Sequence, residues 1–163
     1  MHSRSLLALG GFLAASFGAA AFGSYFTNQS VGSWYPTLEK PAWRPPNAAF
    51  GPVWTVLYTL MAITAWLVWR SDDSAASSKT ARKQALVAWG VQLALNAAWS
   101  AVFFGARSPS GGLAVITALV PAIAATAVLA GRVSKTAGLL LVPYLAWTTF
   151  AAALNARIWQ LND

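Results

Sequence analysis

The chain has 163 residues, 57% of them hydrophobic and 9% charged, with eleven Lys plus Arg against four Asp plus Glu and a formal net charge of +7. An ordinary soluble domain carries about 25% charged residues, so this composition excludes a charge-covered globular surface and indicates one membrane domain over residues 1–163. The basic residues stand at the ends of apolar runs and not in a patch, which excludes nucleic acid as a partner and points to lipid headgroups.

Five segments, at about 5–26, 48–69, 84–106, 112–131 and 136–158, are apolar and long enough to cross a hydrocarbon core about 30 Å thick. They predict an all-α fold, a bundle of five transmembrane helices. The first segment, "MHSRSLLALGGFLAASFGAAA", also resembles a signal peptide, with Arg4 near its start and small residues at Ala19 and Ala21. Small residues recur every four positions at Gly11, Ala15, Ala19 and Gly23, and again at Gly10, Ala14 and Gly18. That spacing lines a helix face that another helix can approach closely, and it favours a retained span. Whether the approaching helix belongs to this chain or to a second subunit stays open.

Residues 27–47 form a long connection that contains "WYPTLEKPAWRPP" at 34–46, with four prolines, two tryptophans, a tyrosine and three charges. Each proline fixes its own φ and restricts the residue before it, so the segment is stiff and loses little entropy on ordering. In the second span Trp54, Tyr58 and Met61 share a helix face. Arg70, Asp72, Asp73, Lys79, Arg82 and Lys83 mark the next connection as a solvated loop. In the third span Trp89, Gln92, Asn96, Trp99 and Phe103 fall three or four residues apart, on one stripe. Amides in hydrocarbon need partners, so Gln92 and Asn96 should face the bundle interior. "RSPSGG" at 107–112 reads as a tight turn. Arg132 and Lys135 mark the fourth connection, and Tyr144, Trp147, Ala151, Leu154 and Ile158 form a stripe on the fifth span.

With five spans the termini lie on opposite sides of the membrane. Arg4, Arg70, Lys79, Arg82, Lys83, Arg132 and Lys135 fall on the N-terminal side, and Lys40, Arg44, Arg107 and Arg157 on the other. The excess of positive charge places the N-terminus in the cytoplasm, with the C-terminus and the 34–46 segment opposite.

The chain lacks the usual chemical apparatus. Its one histidine is His2, no Asp or Glu lies within a span, and cysteine is absent. A metal site, an ion-coupled relay and thiol chemistry are all without candidates, and no cofactor is implied. Binding or transport of an apolar molecule is the better reading. Trp66, Trp69 and Trp159, near span ends, suit interfacial anchoring. Periodicity alone leaves Trp54, Trp99 and Trp147 open between lining a pocket and filling space. Aromatic walls with a few orienting polar groups are how proteins hold flat, largely apolar ligands.

Four motifs then carry a resemblance: "WYPTLEKPAWRPP", "FGPVWTVLY" at 50–58, "QLALNAAWSAVFFG" at 92–105 and "VPYLAWTTFAAALNARIWQLN" at 142–162. In this order, over nearly the whole chain, they resemble the translocator protein family, also called tryptophan-rich sensory proteins or peripheral-type benzodiazepine receptors. The resemblance implies a five-helix bundle whose first loop caps a pocket, ligands such as protoporphyrin IX, sterols and benzodiazepine-site compounds, and a homodimer. It places Tyr35, Pro45, Trp54, Asn96, Trp99, Trp147 and Ala151 in the pocket, with Trp34, Lys40, Trp43 and Arg44 in the capping loop. Lys40 and Arg44 are candidates to meet either porphyrin propionates or lipid phosphates, and Glu39 to pair with a basic neighbour. It also implies that Trp54 and Trp147 are the tryptophans concerned if porphyrin is degraded in light.

One departure matters. Vertebrate members carry a sterol-recognition stretch after the Leu-Asn pair of the fifth helix, whereas this chain has Ala156 and Arg157 where tyrosines are expected and Gln160 where an arginine is expected. Such motifs are weak in any case. Tetrapyrrole therefore ranks above sterol here, and a bacterial cell-membrane member is indicated. The functions to weigh are a porphyrin-binding receptor, sensor or carrier, a light-dependent porphyrin-degrading enzyme, and a sterol-binding or structural membrane protein.

Overall fold

The structure, a computed structural model, describes residues 2–71 and 76–163. Among them the helices are α1 (His2–Ser30), α2 (Asn47–Trp69), α3 (Ala76–Ser100), α4 (Pro109–Val133), α5 (Lys135–Leu140) and α6 (Val142–Asn162). α5 and α6 are two parts of one span, so five helical segments are long and apolar enough to cross a membrane. The described chain is thus an all-α integral membrane bundle, as its hydropathy requires. Asp72 and Asp73 lie outside the described residues.

Several boundaries move from where composition puts them. α1 runs to Ser30, four residues past the expected end, because its polar tail is satisfied within the protein. Thr27 donates its hydroxyl to the Gly23 carbonyl at 3.0 Å, and Ser30 donates to the Phe104 carbonyl at 2.7 Å. The capping loop shortens accordingly to residues 31–46. Lys79, Arg82 and Lys83 belong to α3 and not to a loop. The turn expected over 107–112 is likewise shorter. Ser108 caps α4, accepting from the Gly111 amide at 3.0 Å, and Pro109 takes the first helical position, where a missing N–H costs nothing. Arg107, with φ of 54°, makes the reversal.

The third span ends in a π-helical turn, Ala101–Gly105. The Ala106 amide donates to the Ala101 carbonyl at 2.8 Å, so one extra residue is accommodated. Consecutive Phe103 and Phe104 thereby both reach the protein interior near the loop. Phe103 is 2% exposed and stacks on Trp99 with centroids 5.3 Å apart.

Lipid is as apolar as leucine, so close approach and hydrogen bonds hold such a bundle together more than apolar burial does. α4 and α5 are joined by Ser134 alone, and a Cβ on Gly138 would stand 2.7 Å from the Ala127 carbonyl oxygen and 2.8 Å from Gly131 Cα. Thr64 reaches across from α2 to the Ala137 carbonyl at 3.2 Å. The small-residue faces of α1 divide. Ala19 packs against the core and a Cβ on Gly23 would meet Ser100, whereas Gly10, Gly11 and Gly18 meet nothing within 4 Å and Ala14 and Ala15 are exposed. Trp66, expected as an interfacial anchor, also ties α2 to α1, its indole donating to the Ser5 carbonyl at 3.0 Å.

Candidate functional site

α2 packs against α5, and meets α6 through the ring pairs Phe50–Trp147 and Trp54–Tyr144. α1 and α3 complete the walls of a space between α2, α6 and the loop. The gap is a cavity of about 500 Å³, within the range that suits a drug-sized ligand.

Its walls bring together most of the residues expected from sequence. Trp54 comes from α2, Asn96 and Trp99 from α3, Trp147 and Ala151 from α6, and Tyr35 from the loop above. Pro45 does not line it, and neither do Trp34, Lys40, Trp43 or Arg44. Two indoles are used differently. Trp99 donates its N–H to Asn155 Oδ1 at 3.0 Å, and Asn155 donates in turn to the Pro109 carbonyl at 2.7 Å. The Trp147 Nε1 atom is buried without a protein hydrogen-bond partner.

The floor is a hydrogen-bonded chain. Tyr58 donates to Asn96 Oδ1 at 2.6 Å, and Asn96 Nδ2 donates to the Tyr144 hydroxyl at 2.8 Å. Asn96 is therefore a junction of α2, α3 and α6, with its amide orientation fixed by both tyrosines. One turn earlier, Gln92 is fully buried with Oε1 unpartnered, while Nε2 lies 3.7 Å from Met61 Sδ. Trp54 lies against both tyrosines, at 5.5 Å from the Tyr58 ring and 6.2 Å from that of Tyr144.

The roof is fastened to the bundle at several points. Tyr35 is buried against Phe103 and Phe104, Trp34 meets Phe103 edge-on, and Trp43 meets Phe150. The Glu39 amide donates to Asn162 Oδ1 at 2.9 Å, and Asn162 Nδ2 returns a bond to the Glu39 carbonyl at 2.9 Å. Lys40 turns its ammonium back into the loop, donating to the carbonyls of Tyr35 at 2.8 Å, Pro36 at 3.4 Å and Leu38. It also stands over the Tyr35 ring, as does the Arg44 guanidinium, which bonds the Asn47 side chain. Both cations thus organise the loop. Burial holds the Tyr35 phenol above its ordinary pKa, opposed by the charge of Arg44. Loss of solvation, and then the same guanidinium, holds Lys40 below its ordinary value.

Sequence reading missed Asn155, Phe50, Phe104 and Asn162. Asn155 had a legible signal: Tyr144, Thr148, Ala151 and Asn155 form a stripe as regular as the one through Leu154, and an amide at that depth needs partners. Phe50 meets Trp147 at 5.8 Å and lines the cavity beside it.

These features define an integral membrane protein that encloses an aromatic cavity beneath a fastened loop. The TspO/MBR family model matches residues 12–160, and the chain belongs to that family. It is similar to the tryptophan-rich protein TspO of Archaeoglobus fulgidus, 44% identical over 86% of this chain and 87% of the relative. It is also similar to protein CrtK of Rhodobacter capsulatus, at 40% over 88% and 86%, and to the human translocator protein, at 40% over 95% and 89%.

Proposed function

We propose that this protein is a membrane receptor, sensor or carrier that binds porphyrins such as protoporphyrin IX, and other flat hydrophobic ligands including benzodiazepine-site compounds, in the cavity above Asn96. The observation that carries the reading is the aromatic cavity itself, on which Trp54, Trp99 and Trp147 converge. A largely apolar wall rich in aromatic rings suits a flat, largely apolar ligand. The names of the relatives, a translocator protein and tryptophan-rich proteins, agree with this class of role.

Quenching of tryptophan fluorescence by protoporphyrin IX, in nanodiscs and in the dark, tests the proposal. Saturable quenching that a benzodiazepine-site compound reverses is the expected result, and strictly linear, non-competable quenching would overturn it. The proposal extends to a homodimer, supported by the open small-residue face at Gly10, Gly11 and Gly18.

A second reading, light-dependent degradation of protoporphyrin IX, is supported by Trp54 and Trp147 facing the same cavity. A bound porphyrin is itself a photosensitiser, so tryptophans beside it are oxidised as bystanders on the binding reading. Trp147→Phe separates the two. With the porphyrin site saturated, binding alone predicts unchanged loss of porphyrin absorbance in light, and enzymatic turnover predicts a large fall.

A further inference from the structure

The exposure of the cavity wall is one-sided. Six lining residues are exposed, Phe17, Ser24 and Asn28 on α1 with Asn47, Gly51 and Thr55 on α2, while the lining residues of α3, α6 and the loop are all buried or partly buried. Resting on the binding reading above, we infer that the cavity communicates with the bilayer through the seam between the loop-proximal halves of α1 and α2, and that ligands dissolved in the membrane pass through this seam and not under the loop.

Among the described residues no hydrogen bond closes the seam, where Phe17 of α1 meets the Tyr58 ring of α2 with centroids 6.2 Å apart. Both described hydrogen bonds between α1 and α2 run from the Trp66 indole to Ser5, at the opposite end of these helices. At the seam, Thr55 spends its hydroxyl on the Gly51 carbonyl of its own helix, at 2.9 Å. A Cβ at Gly51 would meet nothing within 4 Å. Thr55 lies eight residues into α2, about 12 Å along the axis at 1.5 Å per residue, so the seam runs at least that far down the helix from its loop end. A flat amphiphile with a polar edge would find hydrogen-bonding groups along the passage, at Ser24, Thr55, Asn28 and Asn47, on its way to the aromatic interior.

Two other routes carry more contacts. Phe50 on Trp147 and Trp43 on Phe150 fill the α2/α6 side. On the aqueous side the loop is held by the paired bonds of Glu39 with Asn162, by buried Tyr35 and by the Ser30 bond to Phe104. To pass there a ligand must break several of these contacts together.

The chain has no cysteine, so an introduced pair forms a unique disulfide. Two variants in nanodiscs, followed by stopped-flow tryptophan quenching with protoporphyrin IX supplied in the lipid, test the route. Oxidised Glu39→Cys/Asn162→Cys, which locks the loop, is expected to associate within twofold of its reduced form. Gly51→Phe, which puts a ring at a seam position where a Cβ meets nothing within 4 Å, is expected to slow association at least tenfold. Slowing by the loop lock as large as tenfold overturns the route, and so does Gly51→Phe associating at the parental rate. If Gly51→Phe does not fold, the loop lock decides alone. No saturable quenching in the parent overturns the binding reading instead, so the two failures are distinct.

Discussion

Asn96 shows what a single polar side chain does in a helix bundle. Placed in hydrocarbon, its amide must be satisfied, and it is satisfied by two tyrosines from two different helices. Asn96→Ala leaves both hydroxyls without that partner, so the bundle is expected to lose about 1–2 kcal/mol, the range for interhelical hydrogen bonds in membranes. Porphyrin binding should weaken as well, because the floor of the cavity is no longer fixed. Trp54→Ala removes ring area from the wall and cuts no hydrogen bond, so its loss should fall mainly on binding. Melting curves and quenching titrations of the two purified variants separate these cases: an Asn96→Ala protein that melts with the parent shows that the tyrosines find other partners. The sequence makes Asn96 and Gln92 legible as inward-facing, since an amide in a long apolar run has few alternatives. The same rule applies to Asn155 one stripe away. What no sequence rule supplies is which partner each finds, because Tyr58, Tyr144 and Pro109 are brought near only by helix crossing.

Among the elements, the spans are legible from length and hydropathy, and their ends are not. Thr27, Asn28 and Gln29 look like the start of a loop, yet α1 continues through them because Ser30 has a carbonyl to reach on the π-helical turn of the third span. That turn itself is invisible to a 3.6-residue period, which would put Phe103 inside and turn Phe104 away. Small residues carry a related ambiguity, since glycines at a helix contact and glycines facing lipid have the same spacing. Their environments predict opposite responses. Gly138→Ala drives a Cβ into the Ala127 carbonyl and Gly131 Cα, which are backbone atoms that cannot step aside, and should cost about 1–3 kcal/mol. Gly10→Ala meets nothing within the subunit and exchanges a poor helix former for the best one, so the isolated subunit should be unchanged or slightly more stable. Thermal melts in detergent distinguish them, and equal destabilisation by both would contradict the assigned α4–α5 contact. If the Gly10 face joins two copies, Gly10→Ala should shift the protein toward monomer on size-exclusion chromatography.

For the whole molecule, the bundle is polarised: polar contacts tie α1 to α2 at one end, and the cavity and its fastened loop occupy the other. The direction in which the loop faces decides which compartment the roof meets. Charge supplies the argument, because Lys and Arg in short connections are held on the cytoplasmic side during insertion. Arg4, Arg70, Lys79, Arg82, Lys83, Arg132 and Lys135 lie at the end away from the loop, whereas Lys40, Arg44, Arg107 and Arg157 lie toward it. Two of the loop-side cations, Lys40 and Arg44, are moreover engaged by the loop itself. We therefore expect the loop to face away from the cytoplasm. Single cysteines at Ala42 and Lys79, both exposed in a chain with no cysteine of its own, make the test clean. In intact cells a membrane-impermeant maleimide should label Ala42→Cys at once and Lys79→Cys only after lysis. The reverse pattern would turn the molecule over and place the roof of the cavity in the cytoplasm. A seam that opens into the bilayer would serve either orientation, so the route inferred for the ligand stands independently of this outcome.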